Sequence, residues 1–175
     1  MNNLNWYTAD PHFWHYNILK YEARPYKDIT EMNEGLINNW NKKVQKNDSI
    51  YILGDFSFGN ADQTLEILNR LQGKKYLIKG NHDRVINTLE IRNKFEWVRD
   101  YFVVKENNIP IIMFHYPIQT WDRKHYGSLH FYGHVHSNIS DYALVNNIPN
   151  AYNVGVDVCN FEPVCLKEIL KEEVR

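Results

Sequence analysis

The sequence predicts a layered α/β sandwich, with strands in the inner layers and helices outside. Three observations predict it. Strand-like and helix-like segments alternate through the first half of the 175-residue chain. The second half is richer in strands. Five short apolar runs each lead into an aspartate or a histidine. Leu4 to Ala9 precedes Asp10-Pro11-His12, and Ile50 to Leu53 precedes Gly54-Asp55. Tyr76 to Ile78 precedes Gly80-Asn81-His82-Asp83, and Ile111 to Phe114 precedes His115. Leu129 to Tyr132 precedes Gly133-His134-Val135-His136. In open sheets flanked by helices, ligands gather at the carboxyl ends of strands, so the pattern puts chemistry along one rim. A chain of this length buries a full core as one domain over residues 1–175, without disulfides.

The chain opens with a strand from Leu4 to Ala9, which has stopped by Pro11 because proline lacks a ladder donor. Phe13 to Tyr26 has no clean period and reads as a loop or short helical turn. Asp28 reads as an N-cap, with Glu31 completing a capping box. Ile29, Met32, Leu36, Ile37, Trp40 and Val44 then recur at helical spacing, predicting an amphipathic helix over 29–45. A strand at 49–54 follows. Asn60 caps a second helix that turns Leu65, Leu68 and Leu71 inward and ends at Gly73. A strand over 74–79 leads to the sharp turn that Gly80 permits. The segment 84–96 is predicted helical. Tyr101 to Lys105 and Pro110 to Phe114 read as strands joined by Asn107-Asn108, residues that tolerate positive φ. A loop spans 116–128 and a strand 129–132. Tyr152 to Val158 alternates around Gly155 as a further strand, and Val164 to Val174 forms a terminal helix.

Converging strand ends would gather Asp10, His12, Asp55, Asn81, His115, His134 and His136. Oxygens and imidazoles without a thiolate suit divalent ions of intermediate softness, such as Mn, Fe, Ni or Zn. Seven residues exceed the needs of one ion that also holds substrate, so a two-metal centre with a shared carboxylate is expected. Two cations about 3.5–4 Å apart can generate hydroxide at neutral pH and clamp a phosphoryl oxygen. No nucleophilic side chain is then needed, and no serine or cysteine elbow is evident. Each motif alone is weak, since a Gly-Asp pair after a strand is ordinary turn chemistry. Gly133-His134-Val135-His136 says more, because alternate histidines in a strand face one side. Their joint occurrence, in this order, carries the reading.

That ordered set resembles the calcineurin-like metallophosphoesterase superfamily, from residue 6 to about residue 157. Within it, the chain is similar to small single-domain bacterial and phage members, which share Asp10-Pro11-His12-Phe13, His15, Asn17 and the Arg24-Pro25 pair. The resemblance implies a four-layer sandwich of two mixed β-sheets flanked by α-helices, with a dinuclear site on one rim. It implies Asp10, His12, Asp55 and His136 on one metal. Asp55, Asn81, His115 and His134 would take the other, with Asp55 as the bridge. His82 would be the unligated histidine that protonates the leaving group or stabilises charge on phosphate. Phe56-Ser57-Phe58-Gly59 follows Asp55 where many members carry a second acid and an arginine, so contacts behind the metals and to substrate are expected to differ.

The net charge of −1 and pI near 6.7 argue against a broad, sequence-independent nucleic-acid binder. A small phosphomonoester or phosphodiester, such as a nucleotide, is the expected substrate, and manganese the expected ion. A nuclease acting on DNA or RNA is the alternative, against which the balanced charge and short chain count. A non-catalytic binding module of the same fold is another, against which the intact ligand set counts. Cys159 and Cys165 are too few for a secreted disulfide framework. The N-terminus lacks an apolar signal region and no stretch approaches a membrane span, so a soluble, cytoplasmic protein is expected. His15 and Arg24 are candidate contacts to substrate phosphate, against a packed loop histidine and a surface arginine. Trp121 and Arg123 pair a flat ring with a phosphate-binding cation, against an indole folded back on the core. His125 and His130 read as surface and strand residues rather than ligands.

Overall fold

In a computed structural model that describes residues 3–137 and 147–172, the strands of the first half form one sheet. β1 (Asn5–Thr8), β2 (Ser49–Ile52) and β3 (Lys74–Ile78) run parallel, in register. A fourth parallel strand, β4 (Trp97–Arg99), lies beyond β3. The second half supplies β5 (Tyr101–Glu106), β6 (Ile109–Phe114), β7 (Leu129–Tyr132) and β8 (Ala151–Asn153). These form the second sheet in the order β5-β6-β7-β8. β5 and β6 are an antiparallel hairpin, whose Asn107 and Asn108 take φ of 49° and 66°, while β6, β7 and β8 are parallel. β9 (Val164–Cys165) closes the first sheet antiparallel to β1.

Both sheets are therefore mixed, and helices flank them. The strands of the first sheet are apolar on both faces because both faces are covered. Trp6, Ile50, Ile52 and Leu77 pack with α2 (Ile29–Lys43) and α3 (Ala61–Arg70), through Met32, Leu36, Trp40, Ile67 and Leu68. Tyr7, Tyr51, Leu53 and Ile78 pack instead with Ile111, Met113, Leu129 and Phe131 of the second sheet. Along that inner face Tyr7, Tyr51, Tyr76 and Trp97 are cross-strand neighbours, with ring separations of 5.5, 4.9 and 5.2 Å. A one-residue slip of any strand would break that ladder, so it helps to fix the register. Asp28 and Asn60 cap α2 and α3 as expected. Among the described residues, no helix is long and apolar enough to cross a membrane.

Several expectations need correction. The segment 84–96 forms a 3-10 turn (Arg84–Asn87) and one helical turn, α4 (Leu89–Arg92), before β4 begins. Its apolar residues are too sparse to hold a longer helix against the core: Ile86, Ile91 and Phe95 are buried, while Leu89 is 71% exposed. The strand expected over 152–158 ends at Asn153, and Gly155 makes only an isolated bridge to Ala9. The terminal helix loses Val164 and Cys165 to β9, because β1 still has an open edge, and α5 runs Leu166–Glu172. Residues 173–175 lie outside the described residues. The loop before the first long helix contains one turn, α1 (Ile18–Tyr21), and the 116–128 loop contains a 3-10 turn at Lys124–Tyr126. His130 is fully buried, its ring nitrogens 3.2 Å from the Ile112 and Tyr116 carbonyls, because β7 lies inside the sheet.

The bridge Ala9–Gly155 joins the sheets at their carboxyl ends: the Ala9 N–H reaches the Val154 carbonyl and the Val156 N–H reaches Ala9, both at 3.0 Å. At the opposite end Asp48, just before β2, accepts from the Leu4 N–H at 2.9 Å, the Trp6 indole at 3.0 Å and the Gln45 N–H at 2.9 Å. Asp48→Ala leaves these donors unmatched and should lower unfolding free energy by about 2–3 kcal/mol. Urea unfolding measures this, and a change below about 0.5 kcal/mol would mean that water replaces the carboxylate.

Candidate metal centre

The loops after β1 and β2 run side by side beyond the sheet. The Asp10, His12 and Phe13 N–H groups donate to the carbonyls of Gly54, Asp55 and Phe56 at 3.0, 3.1 and 3.0 Å. This pairing holds side chains in an unusual backbone state. Asp10, His12, Asp55, His134 and His136 all have positive φ, between 48° and 71°. Such residues are strained and persist only where their surroundings over-determine them. Two glycines make room. A Cβ at Gly80 would run into the Asp55 carboxylate, and one at Gly133 would run into that of Asp10.

The side chains form two groups. Ligand atoms of Asp10, His12 and His136 lie within 4.8 Å of one another, and so do those of Asp55, His115 and His134. Asp55 Oδ2 is 3.8 Å from His12 Nε2 and 3.6 Å from His115 Nε2, so it stands between the groups. Asn81 Oδ1 lies 3.0 Å from His115 Nε2. His134 and His136 thus serve different groups. They are not side by side on a strand, as alternation implied, because β7 ends at Tyr132 and the chain turns.

Several features fit a bound cation. His115 Nδ1 lies 2.7 Å from the Leu53 carbonyl, which can only accept, so Nδ1 carries the proton. Nε2 faces the oxygens of Asn81 and Asp55, at 3.0 and 3.6 Å. Converging acceptors need positive charge between them. Asp10 Oδ1 and both ring nitrogens of His12 are buried without a hydrogen-bond partner, a costly state unless an ion satisfies them. Burial pushes the Asp10 carboxyl up to about 7 without a cation, and burial also holds His12 well below the usual imidazole range, hence neutral. Asp10, His12 and His136 thus form one group that could hold a metal ion, and Asp55, His115 and His134 a second such group.

Behind these atoms is a layer the sequence reading missed. His136 Nδ1 lies 2.7 Å from Asp157 Oδ2. Arg24 grips that carboxylate with Nε at 2.8 Å and Nη2 at 2.9 Å. It also donates to the carbonyls of Pro11 and Asp10, both at 2.8 Å. Arg24 is 4% exposed, so the expected phosphate contact is corrected to a buried brace whose donors face inward. Despite burial, bonds from His136 and Arg24 hold Asp157 below its usual carboxylate range, while Asp157 raises His136 against the burial penalty. Asp157 fell in the stretch read as strand, and only its partners reveal it. Asp83 is likewise buried and accepts from the N–H groups of Asp55, Phe56 and Gly80 at 2.9, 2.8 and 2.8 Å.

His82 is exposed beside the centre, its ring 6.2 Å from that of His12, and its N–H donates to Asp55 Oδ1 at 2.8 Å. His15 lies near it too, stacked on Phe58 at 3.9 Å and 5.3 Å from the His12 ring. Trp121 is placed otherwise. Its indole N–H reaches Ser128 Oγ at 3.1 Å, its ring packs 5.2 Å from that of His130, and Lys124 covers it at 4.6 Å. These contacts match the folded-back alternative, with the indole engaged by Ser128, His130 and Lys124. Arg123 points to solvent beside Asp122, 3.9 Å away, and is not gathered into the centre.

Comparison with known proteins accords with this geometry. A profile of the calcineurin-like phosphoesterase family matches residues 6–112. The chain is 35% identical to MJ1445, an uncharacterized protein of Methanocaldococcus jannaschii, over 93% of this chain and 87% of that one. It is 28% identical to the Gene 66 protein of Mycobacterium phage D29, covering 90% and 89% of the two chains. A solved protein of unknown function from Aquifex aeolicus, AQ665, superposes with a TM-score of 0.78 at 25% identity, covering 97% and 99%.

If Asp157 aims His136, Asp157→Asn should weaken metal binding about 10–100-fold, the usual effect of losing a partner behind a ligand. Arg24→Met should act in the same direction. Calorimetric titration with Mn²⁺ on variants with native-like melting reads this, and unchanged affinity would show that His136 needs no brace.

Proposed function

This chain belongs to the calcineurin-like phosphoesterase family, and from that premise we propose that it hydrolyses a small phosphomonoester or phosphodiester, such as a nucleotide, with two divalent cations at this rim. The observation that carries the reading is the pair of candidate ligand groups with Asp55 between them, and the buried Asp10 Oδ1 and His12 ring nitrogens left without a hydrogen-bond partner. Asp10, His12, Asp55 and His136 would hold one ion, and Asp55, Asn81, His115 and His134 the other. When bound, such ions lower the pKa of an attacking water and neutralise charge on the phosphoryl oxygens. Manganese suits this oxygen and imidazole set, as do iron, nickel and zinc.

The chain's own residues do the rest. Leu53 and Asp157 fix the ring orientations of His115 and His136 through the nitrogens that face away from the centre. Asp55 presents Oδ2 between the two groups while the His82 backbone N–H holds Oδ1. That same bond anchors the His82 backbone, so its ring stands at a set position beside the centre. We assign His82 the role of giving a proton to the leaving group. The modest overall charge supports a small ester over long nucleic acid.

An exhaustively chelated sample should be inactive towards an activated aryl phosphodiester, and Mn²⁺ should restore turnover. Full activity with no metal detected by elemental analysis would sink the mechanism. Asp55→Asn should weaken both sites, because a neutral amide replaces the shared charge. His82→Ala should retain both metals and lower kcat by roughly 10²–10⁴-fold. Loss of a metal from that variant would make His82 a ligand rather than the acid.

A further inference from the structure

Next to the centre is a cleft of about 320 Å³, lined by Ser57, Phe58, Gly59, His82, Arg84 and Val85. It shares His82 with the proposed catalytic machinery. Its other walls have no role in holding metal. Phe58 is 39% exposed, whereas Phe13, Phe56 and Phe131 are completely buried. Its ring lies 4.9 Å from that of His82 and 5.2 Å from that of His12, and His15 stacks behind it at 3.9 Å and 7°. The result is a flat apolar surface, braced by an imidazole and left open at the mouth of the centre. Exposing a phenylalanine to water there is unfavourable unless something covers it. Arg84 is the cation of this cleft, exposed and without an ionic partner among the described residues. Arg24, Arg70 and Arg99 are occupied, by Asp157, by Glu34 and by the rings of Trp97 and Phe102, whereas Arg92, exposed like Arg84, does not line this cleft.

We propose that this cleft binds the leaving group of the reaction, and that the leaving group is a nucleoside phosphate. Its base packs on Phe58, and its own phosphate, the one adjoining the bond to be cleaved, pairs with Arg84. Both contacts lie on the His82 side, where a leaving group must sit to receive a proton from that ring. A water oxygen bonds to the terminal phosphorus, the phosphoanhydride P–O bond breaks, and the proton goes to the departing nucleoside phosphate, so terminal phosphate and nucleoside monophosphate are the products. The assignment rests on the proposed attack of water at phosphorus and extends it from esters to the anhydride bond of nucleoside diphosphates.

Equilibrium binding separates the two ideas. The metal-loaded protein is titrated with methylphosphonate, with the phosphonate analogue of adenosine monophosphate and with α,β-methylene adenosine diphosphate, none of which turns over. Affinity should rise along that series, by about tenfold for the base and by roughly fivefold for the second anion at an exposed arginine. Phe58→Leu should erase the first gain and Arg84→Gln the second. Equal affinity for all three ligands, or variants that preserve the full series, would overturn the assignment. Should Phe58→Leu fail to fold, the surface variant Arg84→Gln decides alone. Hydrolysis is assayed separately: turnover of simple esters without this selectivity refutes the cleft and spares the phosphoesterase reading. Selective binding with no ester hydrolysed does the reverse.

Discussion

Asp55 sits at φ 52°, with one carboxylate oxygen between two histidine groups and the other held by the His82 N–H. A β-carbon at Gly80 would strike that carboxylate, so the closest neighbour has none. The backbone N–H of Asp55 is taken by buried Asp83 and its carbonyl by His12. A left-handed non-glycine residue costs of order 1–3 kcal/mol in isolation. Here hydrogen bonds on both sides of the peptide hold it in place. The remaining loops are arranged around this one residue, because only from this position can a single carboxylate face both groups.

A second constraint is charge in a dry place. The centre collects acceptors where burial disfavours ionisation, and without a cation Asp10 is pushed up to about 7. The protein sets one fixed positive charge nearby, Arg24, but turns it outward from the ligand atoms onto Asp157 and two carbonyls. That arrangement ties the β1 loop to the segment after β8 without placing a permanent cation on the ligands themselves. Divalent ions can then supply the missing charge. The same four hydrogen bonds explain why the arginine is buried at all: its donors meet the Asp157 carboxylate and two backbone carbonyls, which offset the cost of burying its charge.

The sandwich makes the rim possible. The inner face of the first sheet is apolar from Tyr7 to Ile78, and the second sheet covers it with Ile111, Met113, Leu129 and Phe131. Packing brings the carboxyl ends of both sheets together at the Ala9–Gly155 bridge. Ligands from β1, β2 and β3 therefore meet ligands from β6 and β7 within a few residues of that seam. Each sheet alone carries only part of the set.

The local pattern by itself determined the inner strands, the two capped helices, the Asn107-Asn108 hairpin and which strand ends carry the aspartates and histidines of the two candidate groups, because each rests on short-range physics: apolar runs, cap geometry and strand-end punctuation. By alternation it put His134 and His136 on one side, and only the resemblance in motif divided them as the turn at positive φ does. It could not tell a surface arginine from a buried one, because the partner of Arg24 lies 133 residues away. Trp121 turned inward for a similar reason: the cradle of Ser128 and His130 exists only once β7 is buried. β9 replaced the start of a helix because β1 offered an unpaired edge. In each case the deciding contact joins residues far apart in sequence, and tertiary packing is what brings them into reach.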